Sequence, residues 1–294
     1  MPAPDLDLLI QAAQDAGQIA RRYWRREPAT WEKDDGAGPV TEADLAVNDF
    51  LIDRLLGARP DYGWLSEESP DNPARLDAAH CFIIDPIDGT RAFIDGQEGF
   101  SHSLAVAEGD RITAAVVHLP VMGLTYAATF DGPATLNGEP IHVSHATLPE
   151  ADILTSKSVL DPTFWKDGQP PEFRRHFRPS LAWRLCLVAE GRFDATLSLR
   201  AAWEWDITAG SLIAERAGGA VTDMHGAPMR FNSPEARVDG MVIAGPALHT
   251  QIMDRLKRLP RSAPPASPSA IPPPPTSRLL PCRPSAPRTR SSFR

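Results

Sequence analysis

Four apolar residues, Cys81-Phe82-Ile83-Ile84, run without interruption into Asp85-Pro86-Ile87-Asp88-Gly89-Thr90. A short apolar run between polar flanks reads as a buried strand, and the residues after it restrict how its end can fold. Two carboxylates three positions apart at the edge of a core carry a heavy desolvation cost unless something positive neutralises them. No Lys or Arg lies between them. Pro86 fixes its own φ and holds Asp85 extended, so the pattern predicts a strand that stops at Asp85 and presents its carboxylate from the strand end. Gly89 allows close approach of the backbone to a ligand. If Gly89-Thr90 opens a helical turn, its free N–H groups form an anion site. Carboxylates beside backbone donors suit a hard cation bridged to a phosphate. Mg²⁺ fits that description, because it keeps several waters and takes carboxylates plus substrate phosphate.

Two other acidic segments fit the same chemistry. Trp64-Leu65-Ser66-Glu67-Glu68 places paired carboxylates at an expected strand end, and Trp205-Asp206-Ile207-Thr208-Ala209-Gly210 places Asp206 at an expected helix start. Each also has a plainer reading: Glu67-Glu68 as a solvated turn, Asp206 as an N-cap. Thr41, with Asp44 three positions on, resembles a capping box, so Asp44 too has a local role open to it.

Around these segments the chain alternates patterns. Leu6 to Trp24 carries apolar residues at helical spacing, and a second helix follows Thr41. Ser103–Ala107, Ile112–Leu119 and Leu124–Phe130 alternate as strands joined by turn-like segments, which predicts an antiparallel meander. Leu181–Glu190, Ile207–Ala217 and Ala247–Leu259 read as helices; Phe193–Leu199, Ala220–Thr222 and Met241–Ala244 read as strands. The expected organisation is an α+β N-terminal lobe over 1–130, an α/β C-terminal lobe over 131–259 and a Pro/Arg-rich disordered tail over 260–294. That tail holds 11 Pro in 35 residues.

Charge narrows the partners. The tail from Arg261 contains six Arg and no acid, which leaves 24 of the 30 basic residues against all 38 acidic ones in residues 1–260, a net of −14. An acidic body opposes non-specific binding to nucleic acid or anionic membrane. Six Arg dispersed among Pro form no compact patch, so nucleic-acid binding through the tail is the weaker alternative. No apolar stretch approaches the roughly 20 residues that span a bilayer. Cys81, Cys186 and Cys282 are odd in number and widely spaced, which argues against a disulfide framework and for a cytoplasmic setting. Cys81 within an apolar run is an inert thiol rather than a nucleophile.

Asp85-Pro86-Ile87-Asp88-Gly89-Thr90 together with Trp205-Asp206-Ile207-Thr208-Ala209-Gly210 resembles the paired signature of the inositol monophosphatase superfamily. Val40-Thr41-Glu42-Ala43-Asp44 and Ser66-Glu67-Glu68-Ser69 resemble it as well, in order, with Ser66 where many members have Gly. The resemblance runs from about residue 5 to residue 258 and implies a layered αβαβα sandwich with Mg²⁺-dependent, typically lithium-sensitive phosphatase activity. It implies that Glu67, Asp85 and the Ile87 carbonyl hold a first Mg²⁺, and that Asp85, Asp88 and Asp206 hold a second. A third ion, where members have one, would sit near Glu67. Asp44 and Thr90, with Glu67, would orient and help deprotonate the attacking water. The Gly89 and Thr90 N–H groups would hold phosphate oxygens. Members are monomers or homodimers acting on small phosphate esters.

Within that superfamily the residues after the signature, Arg91-Ala92-Phe93, and the segment Arg184-Leu185-Cys186-Leu187-Val188-Ala189-Glu190-Gly191 most resemble the 3′(2′),5′-bisphosphate nucleotidase branch. A second substrate phosphate calls for a second cation, which Arg184, Arg91 or Arg200 could supply, and Trp203 is a candidate to stack on a base or, equally, to cover the interface between the lobes. Leu199 stands where inositol phosphatases commonly carry a substrate-binding Glu. The alternatives are an inositol or other polyol monophosphatase and, further off, a histidinol phosphatase, some of which also carry Arg-Ala-Phe.

Overall fold

The computed structural model describes residues 4–33 and 38–257. The expected tail and Cys282 lie outside the described residues. Helix α1 (Asp5–Tyr23) has acids in its first turn and Arg21 and Arg22 in its last, matching the helix dipole at both ends. Its buried stripe is largely Ala with Leu8, Leu9 and Gly17, which lets it lie close to the sheet beneath. A Cβ on Gly17 would come within 2.8 Å of Pro120. A small hairpin, β1 (Thr30–Glu32) and β2 (Pro39–Thr41), leads into α2 (Glu42–Ala58). Thr41 and Asp44 form the capping box expected of them.

The main sheet follows: β3 (Gly63–Ser66), β4 (His80–Asp88), β5 (Ser101–Glu108), β6 (Arg111–Leu119), β7 (Leu124–Thr129), β8 (Thr135–Leu136) and β9 (Glu139–Pro140), with the short α3 (Thr90–Ile94) between β4 and β5. The strands lie in chain order. β3 and β4 pair in parallel, and from β4 onward the sheet is the antiparallel meander read from the sequence. One expectation is corrected: β4 does not stop at Asp85 but continues through Asp88, with a register shift between the two. Pro86 removes one backbone donor, and the shift lets the strand absorb that loss without ending.

The second sheet has the order β11-β10-β12-β16-β14. It comprises β10 (Asp152–Thr155), β11 (Arg174–His176), β12 (Ala195–Ser198), β14 (Ala220–Thr222) and β16 (Met241–Ala244). Between β12 and β16 in the chain, β13 (Ala202–Trp203) pairs with β15 (Arg237–Val238). Helices α4 (Leu181–Ala189) and α5 (Glu204–Arg216) lie between the two sheets, and α6 (Pro246–Arg255) covers the outer face of the second. Helix α5 begins three residues earlier than the expected Ile207, which puts Asp206 inside its first turn.

Three apolar clusters fill the interfaces. One holds α1 and α2 against Phe82, Ile84 and Ile87 of the main sheet. The next joins the opposite face of that sheet to α4, α5 and one face of the second sheet. The third lies between the second sheet and α6. The order of layers is therefore α, β, α, β, α, a mixed α/β sandwich.

Candidate metal centre

Asp85, Glu67 and Asp206 converge where β4, the end of β3 and the start of α5 meet, each offering a carboxylate oxygen within 4.8 Å of the others. Asp85 is fully enclosed, and neither of its carboxylate oxygens has a hydrogen-bond partner. Burial, then the charges of Glu67, Asp88 and Asp206, hold its pKa well above the ordinary carboxylate range. Asp206 is raised by burial and by Asp88 and Glu67. With Lys33 on Glu67 and no donor on either Asp85 oxygen, three carboxylates this close need shared protons or a further cation among them. An all-oxygen, acidic donor set of this kind matches a hard divalent ion such as Mg²⁺ and does not suit a soft metal.

Asp88 is close but differently engaged. Its Oδ2 accepts from the Ser180 hydroxyl at 2.5 Å and from the Ala182 N–H at 2.6 Å, at the N-terminus of α4. That setting favours an anion, yet burial still pushes its pKa up to about 6. Asp88 thus ties α4 to β4 while adding its charge to the cluster from beside the trio.

Asp44 serves two purposes through its two oxygens. Oδ2 accepts from the Thr41 N–H at 2.8 Å and the Thr41 hydroxyl at 2.5 Å, completing the cap of α2. Oδ1 faces the Thr90 hydroxyl at 3.2 Å. That hydroxyl also lies 3.1 Å from the Ile87 carbonyl, and its single proton can serve only one of the two acceptors at a time. Burial lifts the Asp44 pKa to about 6 against the opposing hydrogen bonds from Thr41. Gly89 precedes α3 with φ +95°, a left-handed conformation that sets the direction of the Thr90 side chain.

Lys33, Ser180, Glu204 and Arg75 carried no sequence signal here, whereas Glu68 did. Lys33 reaches Glu67 at 2.7 Å and Glu68 at 2.6 Å. Burial opposes its charge, but the attraction of both glutamates outweighs that and raises its pKa. Glu68 is pushed up to about 8 by burial and by Glu67 beside it. Ser180 accepts from the Trp183 N–H as the cap of α4 while donating to Asp88. Glu204 is fully buried, bonded to Asn232 and Ser233, and Arg75 holds the same loop from the other side. This network anchors the first turn of α5, two residues before Asp206. Lone residues such as Lys33 and Ser180 form no local pattern, because their partners are 34 and 92 positions away.

The substrate candidates are dispersed. The half-buried Arg184 donates Nε to the Arg178 carbonyl at 2.5 Å and Nη2 to the Pro179 carbonyl at 3.4 Å, and its charge reaches Asp88 and Asp206. Its guanidinium lies 4.3 Å from the ring centre of Phe177, a half-exposed aromatic that the sequence analysis did not single out. Arg91 is exposed on α3. Arg200 is exposed after β12, with its charge directed at Asp161. Trp203 requires a correction: Trp205 stacks on it at 4.6 Å and the Arg237 guanidinium lies 3.9 Å from its centre, so both ring faces are covered. It packs the join between α5 and the β13–β15 pair and leaves no open face for a nucleobase.

A layered α/β sandwich carries here a buried carboxylate centre able to hold a hard divalent ion, and the family to which the chain belongs makes it a phosphomonoesterase. The chain belongs to the inositol monophosphatase family, whose model matches residues 1–260, and that family depends on a metal ion, generally Mg²⁺. A 3′(2′),5′-bisphosphate nucleotidase of Aggregatibacter actinomycetemcomitans is 28% identical over 81% of this chain and 91% of its own length. A fructose-1,6-bisphosphatase/inositol-1-monophosphatase of Thermotoga maritima is 33% identical over 75% of this chain and 85% of its own. The solved structure of a Thermotoga maritima inositol monophosphatase superposes with a TM-score of 0.74 at 29% identity, covering 85% of this chain and 95% of that one. Among the described residues no helix is long and apolar enough to cross a membrane.

Proposed function

We propose that this phosphomonoesterase acts on a nucleoside 3′,5′-bisphosphate, releasing the 3′-phosphate. Glu67, Asp85, the Ile87 carbonyl, Asp88 and Asp206 would hold the ions, as two sites with Asp85 common to both. Bound there, Mg²⁺ would polarise the phosphoryl oxygens and lower the pKa of water. The Thr90 hydroxyl accepts a proton from the attacking water while passing its own to Asp44 Oδ1, the oxygen left free by the helix cap. The N–H groups of Gly89 and Thr90 orient the phosphoryl oxygens.

The observation that carries the substrate reading is the pairing of Arg184 with Phe177 at the start of α4, the helix whose cap holds Asp88. A guanidinium behind an exposed ring offers a cation for a second phosphate and an aromatic face for a base. Leu199 is buried and stands where the resemblance gives inositol phosphatases a substrate-binding Glu. A polyol monophosphate is the second reading. It is favoured by the two hydrogen bonds that Arg184 spends on backbone carbonyls and by the covered faces of Trp203.

Phosphate release in Mg²⁺ from adenosine 3′,5′-bisphosphate and from inositol 1-phosphate separates the two by kcat/KM. A hundredfold preference for the nucleotide, about 2.7 kcal/mol of transition-state discrimination, is expected. Arg184→Leu should remove most of that preference while leaving inositol 1-phosphate turnover nearly unchanged. Preference for inositol 1-phosphate would overturn the nucleotide reading and leave the metal chemistry standing.

A further inference from the structure

Residues three apart on a regular strand point to opposite faces, yet Asp85 and Asp88 act on one another and on the same carboxylate cluster. The register of β4 against β5 explains how. Asp85 pairs with Ser103 and Asp88 with Ser101, so Pro86 and Ile87 together face the single residue His102. This is a bulge with two residues opposite one, and it shifts the side-chain phase by one position. The apolar side chains record the shift: Ile84 and Ile87, also three apart, both pack into the layer under α1 and α2. Without the extra residue one carboxylate would be driven into that apolar layer.

Three consecutive polar residues on β5, all essentially fully buried, span this bulge. Ser180 gives its one hydroxyl proton to Asp88, so the Ser101 hydroxyl, 3.0 Å away, donates to Ser180. The Ser103 hydroxyl donates to the Trp205 carbonyl at 2.9 Å, one residue before Asp206. On the opposite face His102 Nδ1 donates to the Pro86 carbonyl inside the bulge. A carbonyl cannot donate, so the neutral ring must carry its proton on Nδ1. Nε2 is left buried with no partner. An imidazole that leaves one nitrogen unsatisfied in an apolar layer is a net burden on the fold unless the bond at the other nitrogen does something the fold alone does not require.

We propose that Ser101-His102-Ser103 positions the metal carboxylates, with His102 as the positioning residue that holds the Pro86 bulge and so keeps Asp85 and Asp88 on one face. The inference rests on the metal reading of the carboxylate cluster. Outer partners of this kind, when removed, typically cost about 10–100-fold in metal affinity.

Two variants of equal shape test it. His102→Asn keeps an N–H close to the position of Nδ1, while His102→Leu has the same branching and no donor. Isothermal titration with Mg²⁺ gives the affinity, and thermal unfolding in chelator gives the ion-free stability. The expected result is Mg²⁺ affinity within about threefold of the unsubstituted chain for His102→Asn and at least about tenfold weaker for His102→Leu. His102→Leu should at the same time be the more stable of the two without the ion, because it buries no unpaired amide oxygen. A merely structural histidine would make affinity follow stability. Equal affinities for Asn and Leu, or weaker binding by Asn, would overturn the inference. Should His102→Leu not fold, His102→Gln, whose amide sits one bond further out, replaces it with the same expected ordering. No Mg²⁺ uptake by the unsubstituted chain would overturn the metal reading and this inference with it. Uptake by that chain with no Asn–Leu difference would overturn the inference alone.

Discussion

Asp85 is the residue on which the centre depends, and its enclosure sets the sign of what its replacement does. Both of its oxygens lack partners, and four other acids, Glu67, Asp88, Asp206 and Glu68, raise its pKa beyond the effect of burial. Asp85→Asn replaces a carboxyl that must either be charged among other acids or be protonated against its ordinary pKa, so the ion-free protein should unfold at a higher temperature than the unsubstituted one. Mg²⁺ should no longer raise that temperature. Turnover should fall by about three orders of magnitude, the consequence of losing several kcal/mol of charge stabilisation. Phosphate release together with thermal unfolding, with and without Mg²⁺, checks both halves. Activity that survives this substitution would remove Asp85 from the metal set. At this scale Asp44 was legible twice over, as a capping acid and as a site acid. The capping reading is borne out at Oδ2, and Oδ1, turned instead to the Thr90 hydroxyl, is the oxygen on which the proposed site role rests.

At the scale of elements, the centre exists because α4 and α5 cross closely enough to present Ser180 and Asp206 to the end of β4. Gly210 is the crossing point: an added Cβ would sit 2.6 Å from the Leu185 Cβ and 3.2 Å from the Ala182 carbonyl. Helix backbone that close cannot yield without moving the helix. Gly210→Ala should therefore destabilise the chain by about 1–3 kcal/mol. By moving α5 relative to Asp85 it should also raise the Mg²⁺ concentration needed for half-maximal activity. Chemical denaturation and a Mg²⁺ titration of phosphate release measure the two effects. If stability falls and the Mg²⁺ requirement does not change, the crossing supports the fold without setting the metal geometry. The sequence around Gly210 was read as part of a motif, but the reason for a small residue there lies on α4, about 25 residues earlier in the chain.

At the scale of the whole molecule, a buried acidic centre makes stability depend on pH in a direction opposite to ordinary surface carboxylates. Glu68 is raised to about 8, with Asp85 and Asp206 raised well above the usual range, all three principally by burial. Their folded pKa values exceed their unfolded ones, so the folded chain binds more protons than the unfolded chain. The associated stability is present at low pH and is lost as pH rises through the folded values. The buried imidazoles of His102 and His118 act in the other direction, with pKa values lowered by burial to about 3 and about 4, and their effect is confined to pH below 6.5. Between pH 6.5 and 8 the acids therefore act alone. The ion-free unfolding temperature should fall across that range, and the rise produced by Mg²⁺ should grow, because the ion needs deprotonated ligands. Thermal unfolding in chelator and in Mg²⁺ at several pH values tests this, and a flat ion-free profile would contradict it.

Much of this molecule could be read from sequence because its signals are local. The capping box at Thr41, the apolar strand into Asp85 and the alternation of the meander each depend on residues within a few positions of one another, where periodicity and dihedral limits act directly. The acidic segments were legible for the same reason, since adjacent carboxylates beside an apolar run are costly in any fold. What the sequence could not determine is which distant groups complete the centre. Lys33 beside Glu67, Ser180 beneath Asp88 and His102 opposite Pro86 are single residues without a motif. The two covered faces of Trp203 depend on Arg237 arriving from another strand. The continuation of β4 past Pro86 was likewise decided by its neighbour, since a bulge is defined only by the strand it pairs with. Local chemistry marked where the charges lie; only the packed structure, by bringing remote donors to them, decided which way each one points.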